Sequence, residues 1–255
     1  MKALIISLLI ATLTIDILFA QEYIFIQNAD LNSDNQLEAI KLQKTDRQSG
    51  YKLIVNGVES MGILEMGESD GFKVIDLDTQ DKYKEIAVHS SGSGDDMSDN
   101  EYFIYWYNGK EVFLIEHLLG YATFNGNGII YLDKWEGFWT SRDKYLLDKD
   151  SRTISLIRQF AYYVGVEAKV KNSFPIFQEQ ELKNKVASLS NGSEIEILLC
   201  DKDEYKYSNS NGSIEYSGIT EPSRYKYLIR SKSGLVGWAG NKEISENIEG
   251  LPWAD

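Results

Sequence analysis

Cysteine, histidine and proline are all scarce in this chain of 255 residues, which has one cysteine, two histidines and three prolines. A single cysteine excludes an internal disulfide, so the folded state must be stabilised by its core. The sequence also lacks a Gly-x-Ser-x-Gly elbow, a His-Glu-x-x-His helix and a cysteine–histidine pairing, on which many hydrolases rely. These absences predict that the protein is not an enzyme.

Positive charge is also in short supply. The chain has 26 lysines and arginines against 39 aspartates and glutamates, which gives a formal net charge of −13. Nucleic acids and anionic membrane surfaces select basic patches, so neither is expected as a partner. The acidic balance favours a soluble exported protein or one that meets cations.

The first twenty residues, MKALIISLLIATLTIDILFA, have the pattern of a secretory signal peptide. Lys2 supplies the positive start, an apolar stretch follows, and Leu18-Phe19-Ala20 precedes a cleavage position before Gln21. The alternative is an uncleaved anchor, for which a membrane requires about 20 apolar residues. The prediction is a protein that is secreted, periplasmic or in the cell envelope, cleaved near Ala20 and without a transmembrane anchor in its mature form.

The rest of the chain has the pattern of strands rather than helices. Short runs rich in Ile, Val, Tyr and Phe alternate with turn residues, and no long window keeps a 3.6-residue period. Asn56-Gly57 and Asn108-Gly109 each separate two such runs, which is a strong hairpin signal. The sequence therefore predicts an all-β fold.

The sequence also repeats itself. FIQNADLNSDNQLEAIKL followed by YKLIVNGVE resembles FKVIDLDTQDKYKEIAV followed by YFIYWYNGKEV, and a weaker third copy covers residues 126–154. Repeats of about 40–50 residues with four strands each are typical of propeller blades. Since closed propellers use at least about four blades, we expect a partial propeller-like module, a sandwich-like module, or an array closed by another chain.

Two resemblances follow from these motifs. Residues 28–108 resemble integrin-alpha-like repeats of the FG-GAP or VCBS type, whose loop has the pattern D-x-[DN]-x-[DN]-x-x-x-[DE]. Residues 186–245 resemble a bacterial SH3-like domain, through Gly192 and the hairpin sequence SGLVGW. Together with the signal peptide predicted at 1–20, the resemblances imply a β-repeat domain at 22–178, a linker at 179–185 and a small five-stranded SH3-like barrel at 186–250.

The acidic loops of the first two repeats are candidate calcium sites with a structural role. Calcium prefers several oxygen ligands, which alternate residues of a tight loop can supply. The alternative is a polar turn held by hydrogen bonds from Asx side chains to the backbone. The candidate ligands are Asp30, Asn32, Asp34 and Glu38 in the first loop and Asp76, Asp78 and Asp81 in the second.

Aromatic residues beside polar ones are the candidate ligand-binding groups. Trp135 and Trp139 lie in KWEGFWTSRDKY, with a place in the core as the alternative, and Tyr205, Tyr207 and Tyr216 lie in a polar insertion of the SH3-like region.

We expect an exported, non-catalytic binding protein that recognises a cell-wall or other extracellular peptide or glycan through the SH3-like domain. The alternatives are a secreted hydrolase with an acidic site, and a structural protein that completes its sheet by self-association or with a partner. Asp133 and Glu136 are an example of the paired carboxylates that such a hydrolase needs.

Overall fold

The computed structural model describes residues 23–92, 99–202, 206–208, 214–216 and 222–252, and most of its regular structure is β-strand. The predicted all-β class is confirmed, whereas the predicted signal peptide lies outside the described residues. The chain forms two compact units, one from residues up to Ile130 with Leu146–Ser155, the other from Tyr131–Tyr145 with residues from Leu156 onward. Among the described residues, no helix combines the length and apolar character needed to cross a membrane.

The first unit contains an antiparallel sheet whose strands lie side by side in chain order. Its strands are β1 (Tyr23–Ala29), β2 (Glu38–Lys44), β3 (Gly50–Val55) and β4 (Val58–Ile63). Asn56 and Gly57 make the turn between β3 and β4, with φ of 49° and 86°. Positive φ at both positions is what a two-residue type I′ hairpin turn requires, which explains the Asn-Gly pair.

A second antiparallel sheet of the same unit repeats this order. Its strands are β5 (Gly71–Ile75), β6 (Glu85–Ser90), β7 (Glu101–Tyr107) and β8 (Val112–Leu119). Residues of both sheets share one core, in which the hydroxyls of Tyr51 and Tyr105 lie 2.7 Å apart. The paired hydroxyls satisfy each other in an otherwise apolar interior.

A third four-stranded sheet follows, again in chain order. Its strands are β9 (Tyr121–Phe124), β10 (Ile129–Trp135), β11 (Thr140–Asp148) and β12 (Thr153–Ile157). The limits of the two units fall within β10, β11 and β12. Three consecutive four-stranded sheets therefore correspond to the three repeats predicted from the sequence.

The second unit is built on a seven-stranded sheet with the order β15-β14-β20-β19-β16-β13-β21. A two-stranded hairpin, a 3-10 turn at Pro222–Arg224 and helix α1 (Asn241–Asn247) accompany it. The strands are β13 (Tyr162–Val170), β14 (Phe174–Phe177), β15 (Lys185–Leu189), β16 (Glu194–Asp201), β17 (Lys206–Ser208), β18 (Ile214–Tyr216), β19 (Lys226–Ser231), β20 (Val236–Gly240) and β21 (Ile248–Glu249).

The seven-stranded sheet reaches further back along the chain than the sequence predicted. Strands β13 and β14 precede the expected linker at 179–185, yet β13 pairs with β16 and β14 pairs with β20. The core of this unit also includes Phe138 and Trp139. Within the described part of the chain no sheet closes into a barrel, so the five-stranded barrel implied by the resemblance is not confirmed.

Candidate functional site

The first acidic loop is closed by hydrogen bonds to its own backbone. The Asp30 carboxylate accepts the N–H groups of Asn32, Asp34 and Asn35 at 3.4, 3.2 and 3.0 Å. Asn32 accepts from the N–H of Asp34 at 3.0 Å, and Asp34 from that of Gln36 at 2.8 Å. Asn35 has a φ of 65°, a conformation that asparagine tolerates better than most residues. The side chains predicted as calcium ligands thus hold the turn as Asx caps.

Glu38 occupies the position predicted for the last ligand of this loop, but it is buried and bonded to the backbone. Its Oε2 atom accepts the N–H of Leu31 at 2.8 Å. Buried Glu85 makes the equivalent contact in the second repeat, accepting the N–H of Leu77 at 3.1 Å. The sequence reasoning missed Glu85, although a glutamate begins the second strand in both copies.

The second acidic loop is paired with two basic residues from the turn between β11 and β12. Lys149 forms an ion pair with buried Asp78, and its hydrogen bond lowers the pKa of that carboxyl. Arg152 donates to Asp81 at 2.6 Å and also to Glu85. These contacts place a positive charge beside two acids of the loop, Asp78 and Asp81, and beside Glu85 at the start of β6.

Arg152 is buried, and aromatic rings cover its guanidinium. The guanidinium carbon lies 5.1 Å from the ring centre of Tyr83 and 5.4 Å from that of Trp106. Aromatic faces attract a cation that has lost water, so the rings compensate part of the cost of burying it. Arg152 and its acids form a structural centre of the first unit.

The part of the chain that the structure describes contains no group of three or more His, Cys, Asp or Glu side chains arranged to hold a metal ion. In the first loop the donors have the oxygen chemistry that calcium prefers, but they face the backbone N–H groups of the turn. Calcium binding by either loop stays a prediction.

The two predicted tryptophans lie in different surroundings. Trp139 is only 3% exposed and packs against Tyr162 with ring centres 6.2 Å apart, so it belongs to the core and offers no stacking surface. Trp135 is half-buried near the end of β10. Tyr205 and the side chains of Tyr207 and Tyr216 lie outside the described residues.

The two carboxylates named as a hydrolase pair are engaged in separate contacts. Glu136 accepts hydrogen bonds from Ser141 at 2.6 Å, Lys202 at 2.7 Å and Tyr225 at 2.6 Å. Asp133 instead pairs with Arg142. Because Lys202 and Ser141 are buried, the Glu136 network lies in the interior and has the character of a satisfied polar core.

An open groove of about 570 Å³ crosses the seven-stranded sheet, but four of its nine described lining residues form two ion pairs. Arg230 forms an ion pair with Glu196, and Lys232 forms one with Glu194. Cross-strand pairs of this kind are typical of a solvated sheet face. The described residues that line it include no aromatic ring, so it is the weaker candidate for recognition.

A second groove, of about 370 Å³, combines aromatic and polar side chains, and we call it the Tyr163 groove. Arg142 donates two hydrogen bonds of 2.7 Å each to Asp133, in the paired geometry that fixes both groups. The guanidinium also lies 5.7 Å from the ring centre of Tyr131. The groove is lined by Asp133, Thr140, Arg142, Gln159, Tyr162 and Tyr163.

Tyr163 is 71% exposed, and its ring lies against the backbone of its own strand at Gly165. The pairing of β13 with β16 shifts register between Tyr163 and Val166, and Gly165 within this bulge has a φ of 66°. A Cβ atom at position 165 would lie 2.5 Å from the Tyr163 ring, so only glycine lets the ring lie against the backbone there. Bulges commonly redirect a side chain in this way.

Compared with known protein families, curated proteins and solved structures, the chain matches none of them. The Tyr163 groove was not predicted from the sequence either. The available signal was Gly165 within the alternating strand YYVGVEAKV, because an isolated glycine in a strand pattern indicates a bulge or a close approach.

Proposed function

We propose that this chain is an exported, non-catalytic binding protein whose ligand is an extracellular polymer of the cell-wall type, and that the Tyr163 groove is its binding surface. One observation carries the proposal. An exposed tyrosine ring, which lies against Gly165, shares an open groove with the paired side chains of Asp133 and Arg142.

The groove has the properties that recognition needs. A tyrosine provides a large contact area with little rotamer freedom to lose on binding. The Asp133–Arg142 pair holds an acceptor and a donor in fixed positions, which reduces the ordering cost of a polar contact. The volume of the Tyr163 groove lies in the range of about 300–1,000 Å³ that is usual for ligand sites.

The contacts of the buried acidic groups and of the buried cysteine support binding rather than catalysis. Glu136 is bonded to Lys202, and Glu85 to Arg152, within their own units. Cys200 is buried, and burial raises the pKa of its thiol, which disfavours the reactive thiolate. These groups support the fold and are closed to a substrate.

The proposal includes a propeller-like repeat region with a structural calcium loop, followed by an SH3-like C-terminal region. The propeller-like repeat region is supported by a backbone hydrogen bond that joins each repeat to the next at the same position. The Leu31 carbonyl accepts the N–H of Lys84 at 2.9 Å, and the Leu77 carbonyl accepts that of Gly128 at 2.7 Å. Both donors immediately precede the second strand of the next repeat.

Full-length protein incubated with purified cell wall and with a glycan array tests the proposal. We expect binding that the Tyr163→Ala change weakens by about 1–3 kcal/mol, the range for losing an aromatic anchor. Tyr121→Ala is the matched control, because Tyr121 is 49% exposed and is not among the described residues that line the groove. Equal losses in the two variants, or binding that neither variant alters, would contradict this assignment of the site.

A structural role through self-association is the second candidate, and Ile26 favours it. Ile26 is 62% exposed on β1, an edge strand of the first sheet. Exposed apolar edge strands are templates for pairing with another chain. Sedimentation of the wild type and of Ile26→Lys tests this role, because a wild type that is monomeric at high concentration excludes it.

A further inference from the structure

We infer that the ligand of the Tyr163 groove is a neutral glycan, in which one sugar ring stacks on Tyr163 and neighbouring hydroxyls bond to Asp133 and Arg142. The inference rests on the proposed function and narrows its ligand class. It derives from three features of the groove: its balanced charge, its mixed donors and acceptors, and an exposed ring that lies where a Cβ atom at position 165 would otherwise be.

The charge of the groove is balanced within it. Among the described residues of its lining, Asp133 is the acid and Arg142 the base, and the two are joined by a pair of 2.7 Å hydrogen bonds. A charged ligand meets no net opposite charge in this pair, whereas a neutral ligand requires none. The net charge of −13 on the whole chain adds a repulsion that anionic polymers would meet on approach.

The polar groups of the groove suit hydroxyls, which both donate and accept. Arg142 has five N–H donors. Two of its nitrogens donate to Asp133, so further N–H groups remain for a ligand. The Asp133 carboxylate has about four lone-pair sites and can accept beyond those two bonds. An acceptor fixed beside a donor matches two adjacent hydroxyls of a sugar ring.

The apolar side of the contact is supplied by Tyr163. A sugar ring presents C–H groups on its faces, and these pack on the electron-rich face of an aromatic ring. Because Gly165 has no Cβ atom, the Tyr163 ring can lie against the backbone at this point of the groove. Gly165 is therefore a positioning residue, and Tyr163 is the contact residue.

Titration of the full chain with three sets of probes tests the inference. The probes are neutral oligosaccharides of β-linked glucose or N-acetylglucosamine, acidic polygalacturonate fragments, and short peptides. We expect the neutral oligosaccharides to bind, with affinity reduced at least about tenfold by Tyr163→Ala and changed little by Tyr163→Phe, which keeps the ring. Tyr121→Ala should match the wild type.

Two further variants test the charge and positioning arguments. Asp133→Asn leaves the Arg142 charge uncompensated, so it should weaken neutral binding and increase binding of the acidic fragments. Gly165→Ala should weaken neutral binding although every contact residue is retained. Thermal melting of each variant separates this effect from unfolding. If Gly165→Ala does not fold, the comparison of Tyr163→Phe with Tyr163→Ala still decides whether the ring carries binding.

The outcomes separate this inference from the proposed function. Binding of only acidic glycans or peptides, lost in Tyr163→Ala, overturns the neutral-glycan inference and leaves the proposed function standing. Neutral binding that is unaffected by Tyr163→Ala overturns the assignment to this groove. Binding to no probe and to no cell-wall preparation overturns the proposed function, and this inference with it.

Discussion

The backbone N–H of Leu31 donates a 2.8 Å hydrogen bond to the carboxylate of Glu38, and both residues are buried. The contact spans the whole acidic loop and recurs between Leu77 and Glu85 in the second repeat. A buried N–H without a partner costs about 1–3 kcal/mol, so each glutamate satisfies a donor that water cannot reach. The glutamate at this position in each of the first two repeats is thus a loop-closing residue.

Glu38→Ala should destabilise the protein by about 1–3 kcal/mol, because the buried N–H of Leu31 loses its acceptor. Glu38→Gln should cost less, since the amide oxygen can accept the same bond. Urea unfolding of the two variants measures the difference. A matched comparison is Glu59→Ala on β4, whose side chain is 50% exposed and pairs with Lys52, and which should change stability by no more than about 1 kcal/mol. Equal losses of unfolding free energy in Glu38→Ala and Glu38→Gln would show that Glu38 stabilises the fold through its carboxylate charge and not through closing the loop.

Arg152→Met should destabilise the first unit strongly, by about 3–5 kcal/mol, because it leaves Glu85 and Asp81 without their buried cation. Burial raises the pKa of Glu85 to about 7, so a carboxylate deprived of Arg152 tends to take up a proton instead. Thermal and urea unfolding measure the loss.

Arg142→Met is the matched control for this change. Its arginine also pairs with an aspartate, but its side chain is 64% exposed, and such pairs contribute at most about 1 kcal/mol. The double change Arg152→Met with Glu85→Gln should recover part of the loss, since it removes the unpaired charge. Similar losses for Arg152→Met and Arg142→Met would rule out a structural role for the buried centre.

Those features of the fold that depend on neighbouring residues could be predicted from the sequence. Alternating apolar residues define the strands, and Asn56-Gly57 defines a hairpin turn, because both depend on local backbone preferences. The repeat pattern likewise predicts successive four-stranded sheets, since each strand pairs with its neighbour in the chain.

The partners of distant residues could not be predicted in this way. Arg152 meets Glu85 across 67 residues, and Tyr225 meets Glu136 across 89, with no motif that marks either pair. The role of β13 was missed for the same reason, because its alternation fits a repeat strand as well as the seven-stranded sheet that it joins. The Tyr163 groove depends on such distant contacts, and its local signal was the glycine at position 165.

Calcium should raise the melting temperature of the protein if the first acidic loop binds it. A ligand that binds only the folded state adds about 2.7 kcal/mol at a hundredfold excess over Kd. Asp30→Ala and Asp34→Ala should each abolish the calcium-dependent increase, beyond any loss of stability from the turn itself. Asp46→Ala, a change at an exposed acid outside the loop, should keep the increase. A melting curve that responds to neither millimolar calcium nor chelator would mean that the loop is only a polar turn.

His89 should make the protein less stable in mild acid. Burial lowers the pKa of His89, with the charge of Lys73 acting in the same direction and Asp70 opposing it. The unfolded chain therefore binds a proton on His89 at a higher pH than the folded chain does. As pH falls through about 6.5 toward the lower folded pKa, the unfolded state gains more protons and stability is lost.

The comparison of wild type with His89→Gln isolates this effect. Urea unfolding at pH 7.5 and pH 5.5 should show that the wild type loses more stability on acidification than the variant does, because glutamine does not titrate. His117, the other histidine of the chain, is present in both proteins, as are all the carboxyl groups, so their contributions cancel in the difference. The ring of His89 lies 6.2 Å from that of Tyr102 in the second sheet, so the loss should be accompanied by a change in the chemical shifts of Tyr102 near the same pH. Equal pH dependence in the two proteins would contradict the assignment of acid sensitivity to His89.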